Sequence, residues 1–222
     1  MQSSTDLLNA ELITKILAAV DGRRDDTAAF SELGQQLKQL EPAQAVEPMT
    51  NPTVEQWLEP AVRASSAETS ELANLLLDAS GGLPWIRSYE HLPPSPELAA
   101  FQQHFSFALL VGPTFRGTQP PFIQEGLLVG FTLQEPNVVY PPHHHEPPEL
   151  YGVISGELDW QVGDDWRTAG PGDVIVHRPH ESHSMVTGDQ PALTWAAWPA
   201  LPHCYVHMPS LDGPNAVPPT QY

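Results

Sequence analysis

The sequence predicts a mainly β domain, a sandwich or small barrel, carried behind a helical N-terminal extension. Three observations predict it. From about Trp85 onward, runs of strand length rich in β-branched and aromatic residues are separated by Gly, Pro and Asp. Before Trp85, apolar residues recur three and four apart, the period of a helix packed on one side. The 25 prolines in 222 residues leave no room for long helices or coiled coils, while 41% apolar and 8% aromatic content suffices for a core.

The elements follow in order. Leu8, Leu12, Ile16 and Val20 fall four apart, with Ile13 and Leu17 widening the stripe, and predict the first helix. Asp25 and Asp26 offer a start for a second helix with Phe30, Leu33, Leu37 and Leu40 on its apolar side. Pro42 and Pro48 bound a linker. Thr53 and Gln56 have capping-box spacing before a short helix that Pro60 is expected to interrupt, and Glu71 to Asp78 continues helically up to Gly81-Gly82. The strand candidates are SFALLVG, GLLVGFTL, ELYGVIS, ELDWQVG, DVIVH, HSMVT and LTWAAW. The expected division is a helical extension over 1–84, a barrel over 85–208 and a loose polar, proline-rich tail over 209–222.

Composition excludes several functions. A formal charge of −18 with only 9 Lys and Arg leaves no basic stripe to neutralise phosphates, so neither nucleic acid nor an anionic membrane is an expected partner. The acidity itself reads as solubility, because salt screens surface charge beyond about 8 to 10 Å. Cys204 is the one cysteine, which excludes an intrachain disulfide and an all-thiolate zinc site. It reads as a small buried hydrophobe in a reducing compartment. With no signal-peptide pattern at the N-terminus and no apolar run long enough for a bilayer, a cytoplasmic protein is expected.

One stretch carries chemistry: VVYPPHHHEPPELYGVISGELDW, from Val138 to Trp160. Alternate strand residues share a face, so His143 and His145 converge while His144 points away. Beyond the Pro147-Pro148 bend, Glu149 and Tyr151 are again two apart. A metal needs a further ligand, and GPGDVIVHRPHESHSM supplies His183 after a turn, a strand and the Pro179 bend. Imidazole and carboxylate donors suit zinc, iron, manganese, cobalt or nickel, and the donor set alone does not choose among them. Strand parity puts His177 away from the ligands, and His180 lies on the bend.

His143-x-His145-x3-Glu149-x6-Gly156 resembles the first motif of the cupin superfamily, and Gly172 through Pro179 to His183 resembles the second. Asn137 stands where the first motif usually begins with glycine, and Glu181 replaces a glycine in the second. The resemblance implies a cupin double-stranded β-helix, a jelly-roll barrel whose mouth holds one divalent transition metal ion. Tyr140, His143, His145, Glu149, Tyr151 and His183, followed by WAAW, narrow it: they look like the bacterial dimethylsulfoniopropionate lyases of that superfamily, over roughly Gly126 to Trp198. Those enzymes split the zwitterion dimethylsulfoniopropionate into dimethyl sulfide and acrylate.

The resemblance implies roles. His145, Glu149 and His183 are the expected metal ligands, with His143 either a fourth ligand or a substrate contact. Tyr151 is the expected base, and Tyr140 an alternative base or a group that positions the substrate. A sulfonium favours aromatic faces, which nominates Tyr140 and Trp198; Trp195, three residues away, faces the other side of a regular strand. Arg116 and Arg178 could clamp a carboxylate but read as surface or structural ion pairs. The competing functions are a cupin dioxygenase and a non-catalytic cupin that binds a small ligand. A monomer and a homodimer both fit.

Overall fold

The computed structural model describes residues 4–21, 28–41, 46–89, 96–114, 117–199 and 206–208. Asp25, Asp26, Pro42, Arg116, Cys204 and the 209–222 tail lie outside the described residues, as does the side chain of Phe30.

The helical part forms α1 (Ser4–Asp21), α2 (Ala28–Leu37), α3 (Pro52–Arg63) and α4 (Ser70–Ala79). Leu12, Ile13, Ile16 and Val20 of α1 are buried, as are Leu33 and Leu37 of α2, so the four-residue spacing does mark the inward side. Two expectations for α3 need correction. Its N-cap is Asn51, whose side chain accepts from the Val54 backbone at 3.4 Å, followed by Pro52 in the first turn. Thr53 instead sits buried inside the helix, with its hydroxyl on the Glu135 carboxylate at 2.7 Å. Pro60 does not end the helix either. The bond it removes would have gone to the carbonyl of Gln56, an exposed residue that water can serve, while Val54, Leu58, Ala61 and Val62 keep the helix anchored.

The barrel comprises β1 (Trp85–Arg87), β2 (Phe105–Gly112), β3 (Phe122–Ile123), β4 (Leu128–Gln134), β5 (Val139–His145), β6 (Glu149–Ser155), β7 (Leu158–Val162), β8 (Asp165–Ala169), β9 (Val174–His177), β10 (His183–Thr187), β11 (Ala192–Trp198) and β12 (Val206–His207). A further helix, α5 (Pro96–His104), runs into β2 and was not expected from the sequence. Antiparallel pairs β7 with β8, β6 with β9, β5 with β10 and β4 with β11 nest like one long folded hairpin. Rolling that hairpin adds β6 to β11 and β7 to β10. The result is the double-stranded β-helix, a jelly roll of two sheets ordered β1-β2-β4-β11-β6-β9 and β12-β5-β10-β7-β8.

The two faces of the larger sheet have different partners. Leu150 and Ile154 of β6 and Leu193, Trp195 and Ala197 of β11 share one core with α1 to α4. Tyr151, Val153, Ala196 and Trp198, the alternate residues, enter the barrel interior. Every residue of β6 and β11 is therefore buried, whereas β8 of the smaller sheet exposes four of its five residues. No helix among the described residues is long and apolar enough to cross a membrane.

The jelly-roll turns use left-handed backbone where expected. Asn137 has φ of 59°, the conformation a glycine would take there, and Asn tolerates it. Gly156 has φ of 79°, and a Cβ on it would sit 2.5 Å from the Pro191 carbonyl, so glycine is required.

Candidate metal centre and cavity

The site gathers at one mouth of the barrel because two connections meet there. One joins the end of β5 to the start of β6; the other joins β9 to β10. His180, with φ of 61°, donates its backbone N–H to the His145 carbonyl at 2.8 Å and ties the two together. His143, His145, Glu149, His177 and His183 are all buried at this mouth.

Tyr140 and His143 are three apart, yet both face inward and their rings stack at 4.1 Å. A β-bulge explains this. On β10, His183 pairs with His143 and Met185 with Tyr140, so Pro141 and Pro142 together oppose Ser184. The missing proline N–H groups thus fall where the ladder is already interrupted.

Three histidines share one hydrogen-bonding pattern. Nδ1 of His143, His145 and His183 lies 2.9, 2.8 and 2.9 Å from the carbonyls of Pro141, Pro147 and Glu181 respectively. Each ring thus carries its proton on Nδ1 and turns the Nε2 lone pair toward the site, the arrangement that orients metal-binding imidazoles. The candidate ligand atoms of His143, His145 and His183 lie within 4.8 Å of one another, and so do those of Glu149, His177 and His183.

These donors fit a divalent metal. Nε2 of His145 and of His183 lie 3.2 and 3.1 Å from Glu149 Oε2. With Nδ1–H on a carbonyl, an Nε2 at that distance from a carboxylate is accommodated by a second ring proton, which makes the ring an imidazolium, or by a metal ion held between the two. His183 Nε2, fully buried, has no hydrogen-bond partner among the described residues. Burial alone would push the Glu149 carboxyl up, but His145, together with the hydrogen bonds from His145 and His177, holds it well below the usual carboxylate range. Burial, reinforced by His183, pushes His143 well below the usual imidazole range.

His177 belongs to this cluster, contrary to the parity argument. It pairs across the sheet with Glu149, which places both on the inner face, and its Nδ1 is 3.0 Å from Glu149 Oε2. Parity counted along β9 is lost at the Pro179 bend and cannot relate His177 to His183. Trp160, also unforeseen, donates its indole N–H to His177 Nε2 at 3.0 Å. Trp198 donates to the other carboxylate oxygen, Glu149 Oε1, at 2.7 Å, while Trp195 faces the helices.

A cavity of about 90 Å³ leads from Glu149 between the sheets, lined by Tyr140, Tyr151, Trp198, Thr132, Ala196 and the β2 residues Phe105, Phe107 and Leu109. Ile86, Ser88 and Tyr89 also line it. The Tyr89 and Tyr140 hydroxyls are 2.9 Å apart. Tyr89 holds φ of 61°, uncommon for a bulky residue, and the Gln102 side-chain amide donates to its carbonyl. No sequence signal marked Tyr89, because a turn residue enters the cavity only through tertiary packing. Among the described residues the cavity lining contains no Lys or Arg, and Arg178 is exposed.

A family model described as dimethylsulfoniopropionate lyase matches residues 22–194. DddL of Cereibacter sphaeroides is 32% identical over 129 residues, 57% of this chain and 50% of DddL. The dimethylsulfoniopropionate lyase DddQ of Ruegeria pomeroyi is 28% identical over 101 residues, 45% of this chain and 48% of DddQ. The matches thus span about half the length of these curated relatives. The crystal structure of DddQ from Ruegeria pomeroyi superposes with a TM-score of 0.72 at 20% identity, covering 91% of this chain and 98% of that one, and shows the same fold. A structure from a study of the dimethylsulfoniopropionate lyases RdDddP and RnDddQII gives 0.57 at 22% identity, over 86% and 93%. With the family model spanning most of the sequence, including the cluster from His143 to His183, the chain belongs to the dimethylsulfoniopropionate lyase family.

Proposed function

We propose that this protein is a metal-dependent lyase that cleaves dimethylsulfoniopropionate to dimethyl sulfide and acrylate, acting in the cytoplasm with Tyr151 as base. The observation that carries the reading is Tyr151 itself, two residues from Glu149 on the same inward face, at the point where the histidine cluster opens into an aromatic cavity. His145, Glu149 and His183 would hold the metal. The Nδ1 bond of His143 to Pro141 leaves its Nε2 available as a fourth ligand. A divalent metal bound there supplies Lewis acidity for the substrate carboxylate, stabilising the enolate-like charge that builds as the α-proton leaves.

The remaining work falls to the protein. Among the described residues the cavity lining offers no Lys or Arg, and the metal site is the cationic partner for the anionic end of the substrate. The sulfonium meets the aromatic face of Trp198, which attracts a cation that bulk basic residues would repel, whereas the Tyr140 ring, stacked on His143 and on Phe101, offers its edge and hydroxyl. Tyr151 in its phenolate form takes the α-proton, the C–H electron pair becomes the new C=C bond, and the Cβ–S bond breaks with its pair leaving on sulfur. Tyr140 positions the substrate, its own hydroxyl held by Tyr89. Helices over 1–84 form an extension that backs the barrel of 85–208 and leaves the cavity residues on the opposite face of the larger sheet.

The test is anaerobic headspace measurement of dimethyl sulfide, with acrylate quantified alongside, using metal-loaded and chelator-treated protein. Equimolar products that vanish on chelation and return with metal are expected. A metal-loaded protein that forms neither product without oxygen sinks the lyase reading.

A further inference from the structure

We propose that His177 is a positioning residue that fixes the rotation of Glu149 at the metal site, that it is not itself a ligand, and that Trp160 sets its tautomer. This rests on the reading of His145, Glu149 and His183 as ligands.

The hydrogen bonds decide the assignment. An indole N–H can only donate, so His177 Nε2, 3.0 Å from Trp160 Nε1, must accept. A ring that accepts at Nε2 is neutral and carries its proton on Nδ1. That Nδ1 is 3.0 Å from Glu149 Oε2, so it donates to the carboxylate. Both ring nitrogens are therefore committed. Ligation through Nδ1 would displace the proton bound to Glu149, and ligation through Nε2 would strand the N–H of fully buried Trp160.

The polarity is reversed relative to its neighbours. His143, His145 and His183 spend Nδ1–H on backbone carbonyls and keep Nε2 for the site. His177 spends Nδ1–H on the carboxylate. Glu149 is thus gripped through both oxygens, by Trp198 on Oε1 and His177 on Oε2, which leaves its torsion no freedom. The His177 ring also stacks on His183 with centroids 3.7 Å apart and planes 15° from parallel, bracing that ligand as well.

The experiment titrates Co²⁺ into metal-free wild type, His177→Leu, His177→Asn, Trp160→Phe and His183→Ala, reading stoichiometry, affinity and the visible d–d spectrum. Wild type should bind one equivalent. His177→Leu should keep one equivalent with affinity lowered about 10- to 100-fold and a shifted spectrum, and His177→Asn, which retains a donor near the Nδ1 position, should recover much of the loss. Trp160→Phe should change affinity in the same direction, less strongly. His183→Ala should lose the specific spectrum. Wild-type affinity and spectrum in His177→Leu would overturn the inference, as would loss of stoichiometric binding equal to that in His183→Ala. Should His177→Leu not fold, ¹⁵N spectra of wild type decide: His177 must remain an Nδ1–H tautomer with and without metal, and a metal-induced change at its Nε2 like that at His183 overturns the assignment. Failure of wild type to bind Co²⁺ at all removes the metal reading itself, an outcome distinct from normal wild-type binding with a silent variant.

Discussion

Trp198 donates its indole N–H to Glu149 Oε1 at 2.7 Å, while its ring lies 4.4 Å from that of His145. A residue nominated as an aromatic face for a cation is thus also a hydrogen-bond donor to a candidate ligand. Trp198→Phe separates the two roles. It keeps a ring beside His145 and removes the donor to a buried charge, a loss of about 1.5 to 3 kcal/mol. Metal affinity should fall by about tenfold or more, and metal titration checks it. Unchanged affinity together with a raised KM would mean that the ring alone matters.

The two cavity tyrosines differ in their surroundings, and so should their variants. Tyr151 packs at 5.0 Å from Trp160 and 5.7 Å from His177 beside the metal site, whereas the Tyr140 hydroxyl is paired with Tyr89. Tyr151→Phe should lower kcat by about 10² to 10⁴ with metal content unchanged, the loss of a base. Tyr89→Phe leaves the ring in place but removes the Tyr89 hydroxyl from Tyr140, and should raise KM more than it lowers kcat. Steady-state kinetics on metal-quantified protein reads both. A Tyr151→Phe enzyme with near wild-type kcat would transfer the base role to Tyr140.

The sequence was legible where periodicity is local. The four-residue spacing in α1 and the compact apolar runs of β6 and β11 needed no tertiary information, and the spacing of His143, His145 and Glu149 pointed to a shared face before any sheet was known. What escaped depends on register. Pro141 and Pro142 form the bulge that turns Tyr140 to the side of His143, an offset that alternation along the strand does not foresee. His177 meets Glu149 across 28 residues through the β6–β9 pairing, which no local pattern encodes. Pro60 broke the helix expectation because its missing bond falls on the solvent side of α3.

Acid should destabilise the metal-free protein well before carboxylates titrate. Burial, helped by His183, lowers His177 to about 4, and His143 is lowered as well. In the unfolded chain these rings take a proton near their usual value of about 6.5. Between about 6.5 and about 4 the unfolded state therefore binds more protons, and stability falls as pH falls, by up to about 1.4 kcal/mol per pH unit for each such group. Glu149, also depressed, contributes in the same direction at lower pH. Urea midpoints of chelator-treated protein at pH 7, 6 and 5 should drop steadily. A flat profile would show that these histidines are not held buried and neutral.

Gly152 lies between Tyr151 and Val153 on β6 but faces the helices, directly opposite Trp195 of β11. A Cβ on Gly152 would stand 2.0 Å from Trp195 Nε1 and 2.2 Å from its Cε2. Trp195 is buried in the core shared with α1 to α4 and has nowhere to withdraw. Alanine ordinarily gains about 0.5 to 1 kcal/mol over glycine in a strand, but overpacking of this kind costs about 1 to 3 kcal/mol. Gly152→Ala should therefore lower Tm by several degrees, at about 2 to 4 °C per kcal/mol for a chain of this size. Because the neighbouring Tyr151 and Val153 point into the barrel, KM should change little at temperatures where the variant is folded. Shortening the opposing side chain in Gly152→Ala/Trp195→Leu should return part of the loss relative to Trp195→Leu alone, the coupling expected of two residues in contact. Additive melting temperatures across that cycle would disprove the steric account.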